Sequence, residues 1–330
     1  MTANKKIRIN SDFMRMLIIL AALLILAGVT RGKAFMSAAN FQTMGKQLSE
    51  YGLLAMGLSM AMITGGIDLS TVYIANLCGG IAGLLMQRSI SESTPDGTLG
   101  GILLACAVAM CVGLLCGALN GFLVSVVNVP PMLATLGTYE LFYGITIVLG
   151  NGKPINTVNL FKNFAKNDVI FNAVPRPFII FVVVAVILSI VVGKTAFGRR
   201  VHLVGVNAKA AAFAGIRNVS VITAAYMISG ALSALTGLIN LSKIASVKAD
   251  FGSSYVMMTI LIAVLGGCDP DGGYGEIPGV ATAVLVVQVI SAYLNSIPQI
   301  NNYYRQALYG VLLLGFMTYK YYRAKSKGRR

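Results

Sequence analysis

Long apolar runs alternate along this chain with short clusters of glycine, proline and charged residues. Several runs approach the roughly 20 residues that a helix needs to cross the hydrocarbon core of a bilayer. Such a run predicts a transmembrane helix, because a helix satisfies its backbone hydrogen bonds internally. We therefore predict an all-α, polytopic membrane protein with about ten transmembrane helices, at residues 14–30, 43–64, 71–87, 99–127, 131–149, 177–193, 219–241, 256–267, 278–297 and 306–322. The eighth run is short for a bilayer, so we expect that helix to be broken or tilted.

The composition supports this class. Hydrophobic residues make up 56% of the chain and charged residues 11%, and the mean hydropathy is +0.77. Because a soluble domain is about 25% charged, the core of a soluble protein could not accommodate this much apolar surface. The net charge of +15 is explained by attraction to anionic lipid and by membrane orientation. No basic soluble module is present, so we expect no nucleic-acid partner.

The N-terminal apolar run could belong to a signal peptide or to a first transmembrane helix. Lys5, Lys6 and Arg8 precede the run, as they would in a signal peptide. However, the residues 28–31, Gly-Val-Thr-Arg, form a poor cleavage site for signal peptidase. We therefore predict an uncleaved first helix.

The distribution of basic residues and an even number of helices predict how the chain is oriented in the membrane. Basic residues are concentrated near the N-terminus, in the segment 194–217 and in the C-terminal tail. Positive charge marks the cytoplasmic side, and an even number of helices places all three regions there, with both termini cytoplasmic. The outer loop 150–176 works against this bias, because it carries the basic residues Lys153, Lys162, Lys166 and Arg176.

Neither a metal site nor a catalytic centre is indicated. Cys106, Cys111 and Cys116 follow one another at five-residue steps, which rotate about 140° each around a helix, so they share no face. The stretch 269–276 lacks the ligand at the fifth position and the glycine at the sixth that an EF-hand loop requires. His202, the only histidine, has no apparent serine or cysteine partner for hydrolysis. We expect no metal ligands and no catalytic residues.

The fourth run carries a line of small residues. They recur at every fourth position: Gly101, Ala105, Ala109, Gly113, Gly117 and Gly121. Small residues at this spacing allow another helix to approach closely. The partner could be a helix of this chain or of a second subunit, and we favour a helix of this chain.

The residues 193–195, Gly-Lys-Thr, match the end of a nucleotide-binding P-loop. A P-loop needs a glycine five residues earlier, but Leu188 occupies that position within an unbroken apolar run. We therefore expect no nucleotide to bind here. Further along, alanines predict a short helix over 208–214 at the cytoplasmic face. That helix could sit in the groove of a partner or be a plain amphipathic connector.

Six short motifs occur in a fixed order. Five are GGIDLS (65–70), GALNGFLV (117–124), PPMLATLG (130–137), NGKPI (151–155) and VLGGCDPDGGYG (264–275). The sixth combines TxFGR (195–199) with GxNxxAAxxxGI (205–216), and it precedes the last of the five. Each motif alone is weak, but in this order they resemble the ribose-type (monosaccharide) ABC importer permeases of the branched-chain amino acid/ribose permease superfamily. The resemblance covers about residues 40–320.

The resemblance implies that the segment 195–217 is a cytoplasmic coupling loop. It would dock into a separate ABC ATPase subunit, which in this family is often one polypeptide with two nucleotide-binding domains, and ATP and Mg would bind that partner. Relatives often carry an acidic residue where this chain has Lys209, so we expect a more acidic groove in its ATPase. The implied coupling residues are Thr195, Phe197, Gly198, Arg199, Gly205, Asn207, Lys209, Ala210, Ala211, Gly215 and Ile216.

Polar residues inside the predicted helices are candidates for the translocation pathway, because they are costly in lipid. Glu140 is the foremost, near the middle of the fifth helix and close to Tyr143. Its carboxylate could accept hydrogen bonds from solute hydroxyls or take part in a helix–helix hydrogen bond. Relatives often carry a basic residue at or near Tyr143. Asn76 and Asn120 could bridge helices or contact a sugar.

Two glycine-rich turns are similar to each other. Gly65 and Gly66 precede Asp68, which we expect to cap the third helix rather than to contact solute. Gly266, Gly267 and Asp269 repeat the pattern after the eighth helix. Both turns fall on the cytoplasmic side of the predicted topology, and the similarity suggests an internal duplication.

We expect residues 1–330 to form one permease domain in the bacterial cytoplasmic (inner) membrane. The resemblance implies import of a simple sugar or a similar small hydrophilic solute, with a second permease copy or sister permease and an extracytoplasmic solute-binding protein as further partners. A furanose-like signalling molecule or a nucleoside is an alternative solute. An ion-gradient-driven secondary transporter is an alternative mechanism, but it usually requires several buried carboxylates or broken helices.

Overall fold

A computed structural model describes residues 11–90, 96–166, 168–170, 174–297 and 302–326. Helices dominate these residues: α1 (Ser11–Phe35), α2 (Ala38–Ile63), α3 (Thr71–Gln87), α4 (Leu99–Ser125), α5 (Pro131–Leu149), α6 (Asn159–Lys166), α7 (Arg176–Lys194), α8 (Ala196–Val206), α9 (Ala208–Phe213), α10 (Asn218–Ile244), α11 (Tyr255–Leu265), α12 (Ile277–Asn295) and α13 (Asn302–Ser326). Four short strands form two antiparallel pairs, β1 (Ile155–Asn156) with β4 (Ser246–Val247) and β2 (Asp168–Ile170) with β3 (Val174–Pro175).

A helix occupies each of the ten predicted apolar runs, and its ends lie within several residues of the predicted limits. Among the described residues, α4, α5, α7, α10 and α12 are long and apolar enough to cross a membrane. The chain is therefore an all-α, multi-pass membrane protein. The eighth run is short, as predicted: α11 has 11 residues, about 16 Å at 1.5 Å per residue, against a hydrocarbon core of about 30 Å.

Helix α10 lies at the centre of the bundle and packs against α2, α3 and α4. The small residues of α4 face it: a Cβ atom added at Gly113 would lie 2.6 Å from Ala234 Cβ, and one at Gly121 would lie 2.6 Å from Thr223 Cα. One added at Gly117 would collide with the Tyr226 carbonyl oxygen. The prediction that this line packs within the chain is confirmed.

The helix ends gather at two opposite ends of the bundle. At the first, which we call the α8 end, the Gly273 amide donates to the Ile63 carbonyl oxygen (2.8 Å), and His202 on α8 contacts the loop 266–276. At the other, the strand end, β1 pairs with β4, and the Gln87 side chain donates to the Asn156 carbonyl oxygen (2.9 Å). The long helices from α2 to α12 alternate between these ends, as they must in a chain that crosses a membrane repeatedly.

Candidate functional site

The segment 195–217 folds into two consecutive capped helices at the α8 end. Thr195 Oγ1 accepts the Gly198 amide (3.3 Å) at the start of α8, and Asn207 Oδ1 accepts the Ala210 amide (3.0 Å) at the start of α9. Each cap satisfies a backbone donor that the first helical turn leaves free. The predicted short helix is confirmed as α9. Helix α8 was not predicted, because its glycines and β-branched valines have low helix propensity.

Several of the implied coupling residues fasten this segment to the bundle. A Cβ at Gly198 would collide with the Val192 carbonyl oxygen, and one at Gly205 with that of Ile63. Phe197 and Ile216 are half-buried and pack against the main hydrophobic core. Gly215 has a φ of 79°, the left-handed conformation that commonly ends a helix. Their geometry explains why these residue types occupy these positions.

A second group on the segment faces outward. Arg199, Lys209 and Ala210 are exposed, whereas Ala211 is buried. Phe213, which the sequence analysis did not single out, is 94% exposed, the highest value among large hydrophobic side chains in the described part of the chain. It lies three and four residues after Ala210 and Lys209, hence on the same face of α9. A phenylalanine is ordinarily assigned to a core, so its exposure on this helix could not be expected from its residue type.

Glu140 lies on the exposed face of α5, midway along the helix. Within the described residues, its carboxylate has no hydrogen-bond or ion-pair partner. The neighbouring Tyr139 and Tyr143 are half-buried against Tyr73 of α3, with ring centroids 4.0 and 5.8 Å apart. The structure therefore gives no support, within this part of the chain, to the alternative of a helix–helix hydrogen bond.

Asn76 and Asn120, for which the sequence left open a bridging role or contact with a sugar, are both buried. The Asn76 amide donates to the carbonyl oxygens of Ala249 (2.9 Å) and Phe251 (2.8 Å). The Asn120 amide donates to Ser70 Oγ (2.7 Å). These partners lie on other segments of the bundle, so each asparagine side chain links two segments in the interior. The structure favours the bridging role over contact with solute.

Asp68 lies in the turn between α2 and α3, as predicted, but Ser70 rather than Asp68 occupies the N-cap position of α3. Asp68 is buried, and its carboxylate accepts hydrogen bonds from the Ser70 amide (3.1 Å), Ser70 Oγ (2.7 Å) and Ser229 Oγ (2.9 Å). Burial raises the pKa of Asp68 above its ordinary value, although these hydrogen bonds act in the opposite direction. Gly65, with a φ of 91°, and Gly66, packed against the Tyr226 hydroxyl, shape the turn.

The second glycine-rich turn lies beside the first. Gly267 has a φ of 98°, and Gly266 packs against the backbone of Val280 in α12. Asp269 accepts the amide two residues further on, that of Asp271 (3.3 Å), just as Asp68 accepts that of Ser70. Both turns lie at the α8 end, so they share a side of the bundle as predicted. The internal duplication stays a prediction.

The structure also contains a buried ion pair that the sequence analysis overlooked. Glu50 of α2 is fully buried, and its Oε1 accepts a hydrogen bond from Lys243 Nζ of α10. The Tyr255 hydroxyl donates a long hydrogen bond (3.5 Å) to the other carboxylate oxygen. Lys243 lies beyond the predicted end of its helix, so the sequence offered no indication of this pairing. Among the described carboxylates inside the ten predicted helices, Glu50 is buried, whereas Glu140, the foremost pathway candidate, is exposed.

A family described as "Branched-chain amino acid transport system / permease component" matches residues 43–317. The ribose import permease protein RbsC of Bacillus subtilis is 32% identical over 285 residues, 85% of this chain and 84% of that protein. The autoinducer 2 import system permease protein LsrC of Yersinia enterocolitica is 31% identical over 268 residues, 81% of this chain and 71% of that protein.

The autoinducer 2 import system permease protein LsrD of Escherichia coli K12 is 31% identical over 274 residues, 80% of this chain and 78% of that protein. No solved structure matches the chain. The resemblance inferred from the six ordered motifs is confirmed. The family covers most of the chain, including α9, the two glycine-rich turns and the Glu50–Lys243 pair. This protein belongs to the family of branched-chain amino acid and ribose-type ABC importer permeases.

Proposed function

We propose that this chain is the permease subunit of an ATP-driven importer that carries a simple sugar or a similar small hydrophilic solute into a bacterial cell. The relatives named above import ribose and autoinducer 2, which supports a small polar solute; a nucleoside is a further candidate. The observation that carries the proposal is helix α9, whose outer face is open while Ala211 is buried and the preceding helix α8 packs closely on the bundle at Gly198 and Gly205.

Ten membrane crossings, with both termini and the α8 end in the cytosol of a bacterium, fit the described helices. The α8 end carries Lys194, Arg199, Arg200, Lys209 and Arg217, and positive residues next to membrane helices favour the cytoplasmic side. Although α11 is too short to span the bilayer alone, its ends lie within protein, where a broken helix is tolerated. Residues 1–330 would thus form one permease domain.

In this arrangement α9 docks on an ABC ATPase subunit that binds ATP and Mg, and a second permease or a sister permease presents the other docking helix. An extracytoplasmic binding protein would deliver solute to the strand end. The permease itself acts as a transport subunit and not as an enzyme. Movement of α9 would reach the bundle through Gly205, which lies against the end of α2, and through His202, whose Nε2 lies 3.1 Å from the Gly275 carbonyl oxygen.

Replacing Phe213 with alanine should weaken binding of the ATPase about tenfold or more. An aromatic side chain that becomes buried when two proteins bind is a typical interface hot spot. Folding should be unaffected, since the side chain is 94% exposed. The measurement is the ATPase dissociation constant, followed by ATP-driven uptake in proteoliposomes. Phe122→Ala, which removes an exposed phenylalanine of α4, is the control. Lys209→Glu should also weaken binding if the ATPase groove is acidic; normal assembly of both variants would contradict this docking surface.

Glu140 supports a water-filled pathway along α5. A carboxylate facing lipid at this depth would be costly, so the exposed face of α5 around Glu140 would line either the solute pathway or a subunit contact next to it. A carboxylate accepts hydrogen bonds from solute hydroxyls. The rings of Tyr139 and Tyr143, which flank it, would limit the width of this part of the pathway.

Glu140→Gln should lower uptake at subsaturating solute about tenfold, since a hydrogen bond to a charged group contributes about 1.5–3 kcal/mol. Assembly with the ATPase should not change. Asp96→Asn, which alters an exposed carboxylate at the strand end, provides the control. Full transport by Glu140→Gln would show that the charge is not needed.

A secondary transporter driven by an ion gradient is not favoured by the family. Glu50 is neutralised by Lys243, so it does not supply the free intramembrane carboxylate that such a mechanism commonly uses. Permease reconstituted without the ATPase separates the two mechanisms. Solute uptake driven by an ion gradient alone would overturn the proposal.

A further inference from the structure

A cleft of about 570 Å³ opens at the α8 end, between the last turns of α7, the helix α8 and the start of α12. Val192, Leu203, Ile277 and Pro278 form apolar walls. His202 fixes one wall, because its two ring nitrogens lie 2.8 and 3.1 Å from the carbonyl oxygens of Gly198 and Gly275. The cleft therefore has a defined shape and a mainly apolar interior.

The rim of the cleft is basic. Arg199 lines it, and among the described residues its guanidinium makes one hydrogen bond, a long one (3.5 Å) to the Lys194 carbonyl oxygen. A guanidinium has five N–H donors, so most of them remain able to bind an anion. The exposed Lys194 and Arg200 add positive charge next to it. Glu276 also lines the rim and contributes one opposing charge, so the rim stays positive overall.

The apolar walls continue into the outer surface of α7. Val186 and Ile190 are 54% and 47% exposed, and with Gly193 in the cleft they form one stripe at helical spacing. An exposed apolar stripe on a membrane helix faces acyl chains. A slot that continues such a stripe and ends at an arginine is complementary to an anionic lipid, which is apolar along its length and negatively charged at one end.

We propose that this cleft binds one anionic phospholipid, with its phosphate at Arg199 and an acyl chain along Val186 and Ile190 of α7. A soluble anion would leave the apolar walls unused, and a zwitterionic lipid would gain less from the basic rim. Basic pockets between membrane helices on the cytoplasmic side commonly bind anionic headgroups. Because the cleft is formed partly by α8, bound lipid would brace the segment 195–217 against α12.

Native mass spectrometry of the detergent-solubilised permease, without any ATPase, tests the proposal. Phosphatidylglycerol and phosphatidylcholine with identical acyl chains are titrated separately. We expect one phosphatidylglycerol to bind about tenfold more tightly than phosphatidylcholine, and Arg199→Gln to abolish that preference, since one charge-assisted contact accounts for a factor of this size. Arg176→Gln, at the opposite end of α7, is the matched control and should retain it.

Equal binding of the two lipids, or a preference that Arg199→Gln leaves intact, would overturn the proposal. Titration with glycerol 3-phosphate tests whether the cleft binds a soluble phosphate instead of a lipid. If glycerol 3-phosphate binds as tightly as phosphatidylglycerol and with the same dependence on Arg199, the cleft is a site for soluble phosphate and the lipid assignment is wrong. Because the ATPase is absent, each outcome is independent of whether α9 couples to it.

Discussion

Replacing Lys243 with methionine should destabilise the folded permease by about 3–5 kcal/mol, because it leaves a buried carboxylate without its counter-charge. Glu50 is fully buried, and within the described part of the chain its carboxylate would keep only the long hydrogen bond from Tyr255. The expected result is a marked fall in the thermal unfolding midpoint of the purified protein in detergent, with loss of uptake at growth temperature.

The two members of the pair should respond differently. Lys243 retains 28% side-chain exposure, so in Glu50→Gln its ammonium can turn toward water. The loss of stability in Glu50→Gln should therefore be smaller than in Lys243→Met. Combining both substitutions should recover much of the stability, since no unpaired charge then remains. Lys248→Met removes an exposed lysine at the strand end and serves as the control. A Lys243→Met protein as stable as this control would refute the role of the pair.

Gly117→Ala should lower the free energy of unfolding by about 3 kcal/mol, because the added methyl group overpacks the α4–α10 interface. The added methyl group would collide with the Tyr226 carbonyl oxygen of α10, so α4 and α10 could no longer approach closely. Because α10 is the central helix, the misfit should reach α2 and α3 as well. Thermal unfolding and the yield of monodisperse protein measure the effect.

The same helix offers a control substitution that should raise the free energy of unfolding instead of lowering it. Gly100, in the first turn of α4, has no atom within 4 Å of an added Cβ. Gly100→Ala should therefore leave packing intact and stabilise the helix by up to about 1 kcal/mol. Equal effects of the two substitutions would show that helix propensity, and not close packing on α10, governs these glycines.

The positions of the membrane helices could be predicted because a bilayer imposes a local requirement. Each crossing needs a nearly unbroken apolar run, and the predicted limits 71–87 and 131–149 coincide with α3 and α5. Helix α8 was missed because Gly198 and Gly205 reduce helix propensity. Close packing on Val192 and Ile63 requires those glycines, and such contacts leave no periodic signal.

The coupling segment could be located from its motif, but the direction of each side chain could not. The motif includes Gly205 and Ile216, which face the bundle, together with Lys209, which faces outward. Phe213 occupies an unspecified position of the same motif and is the most exposed large hydrophobic residue of the described chain. A short helix lacks enough turns for its polar and apolar positions to define its buried face.

By itself, the amino-acid sequence determined the membrane class, the approximate limits of the helices and the family, because apolar run length and motif order are local properties. The tertiary structure alone decided which polar side chains have partners. It pairs Glu50 with Lys243 across 193 positions of the chain, buries Asn76 and Asn120 and leaves Glu140 exposed. The rotation of each helix about its axis and the choice of its neighbours set these outcomes, and both follow from packing between segments that are distant in the chain.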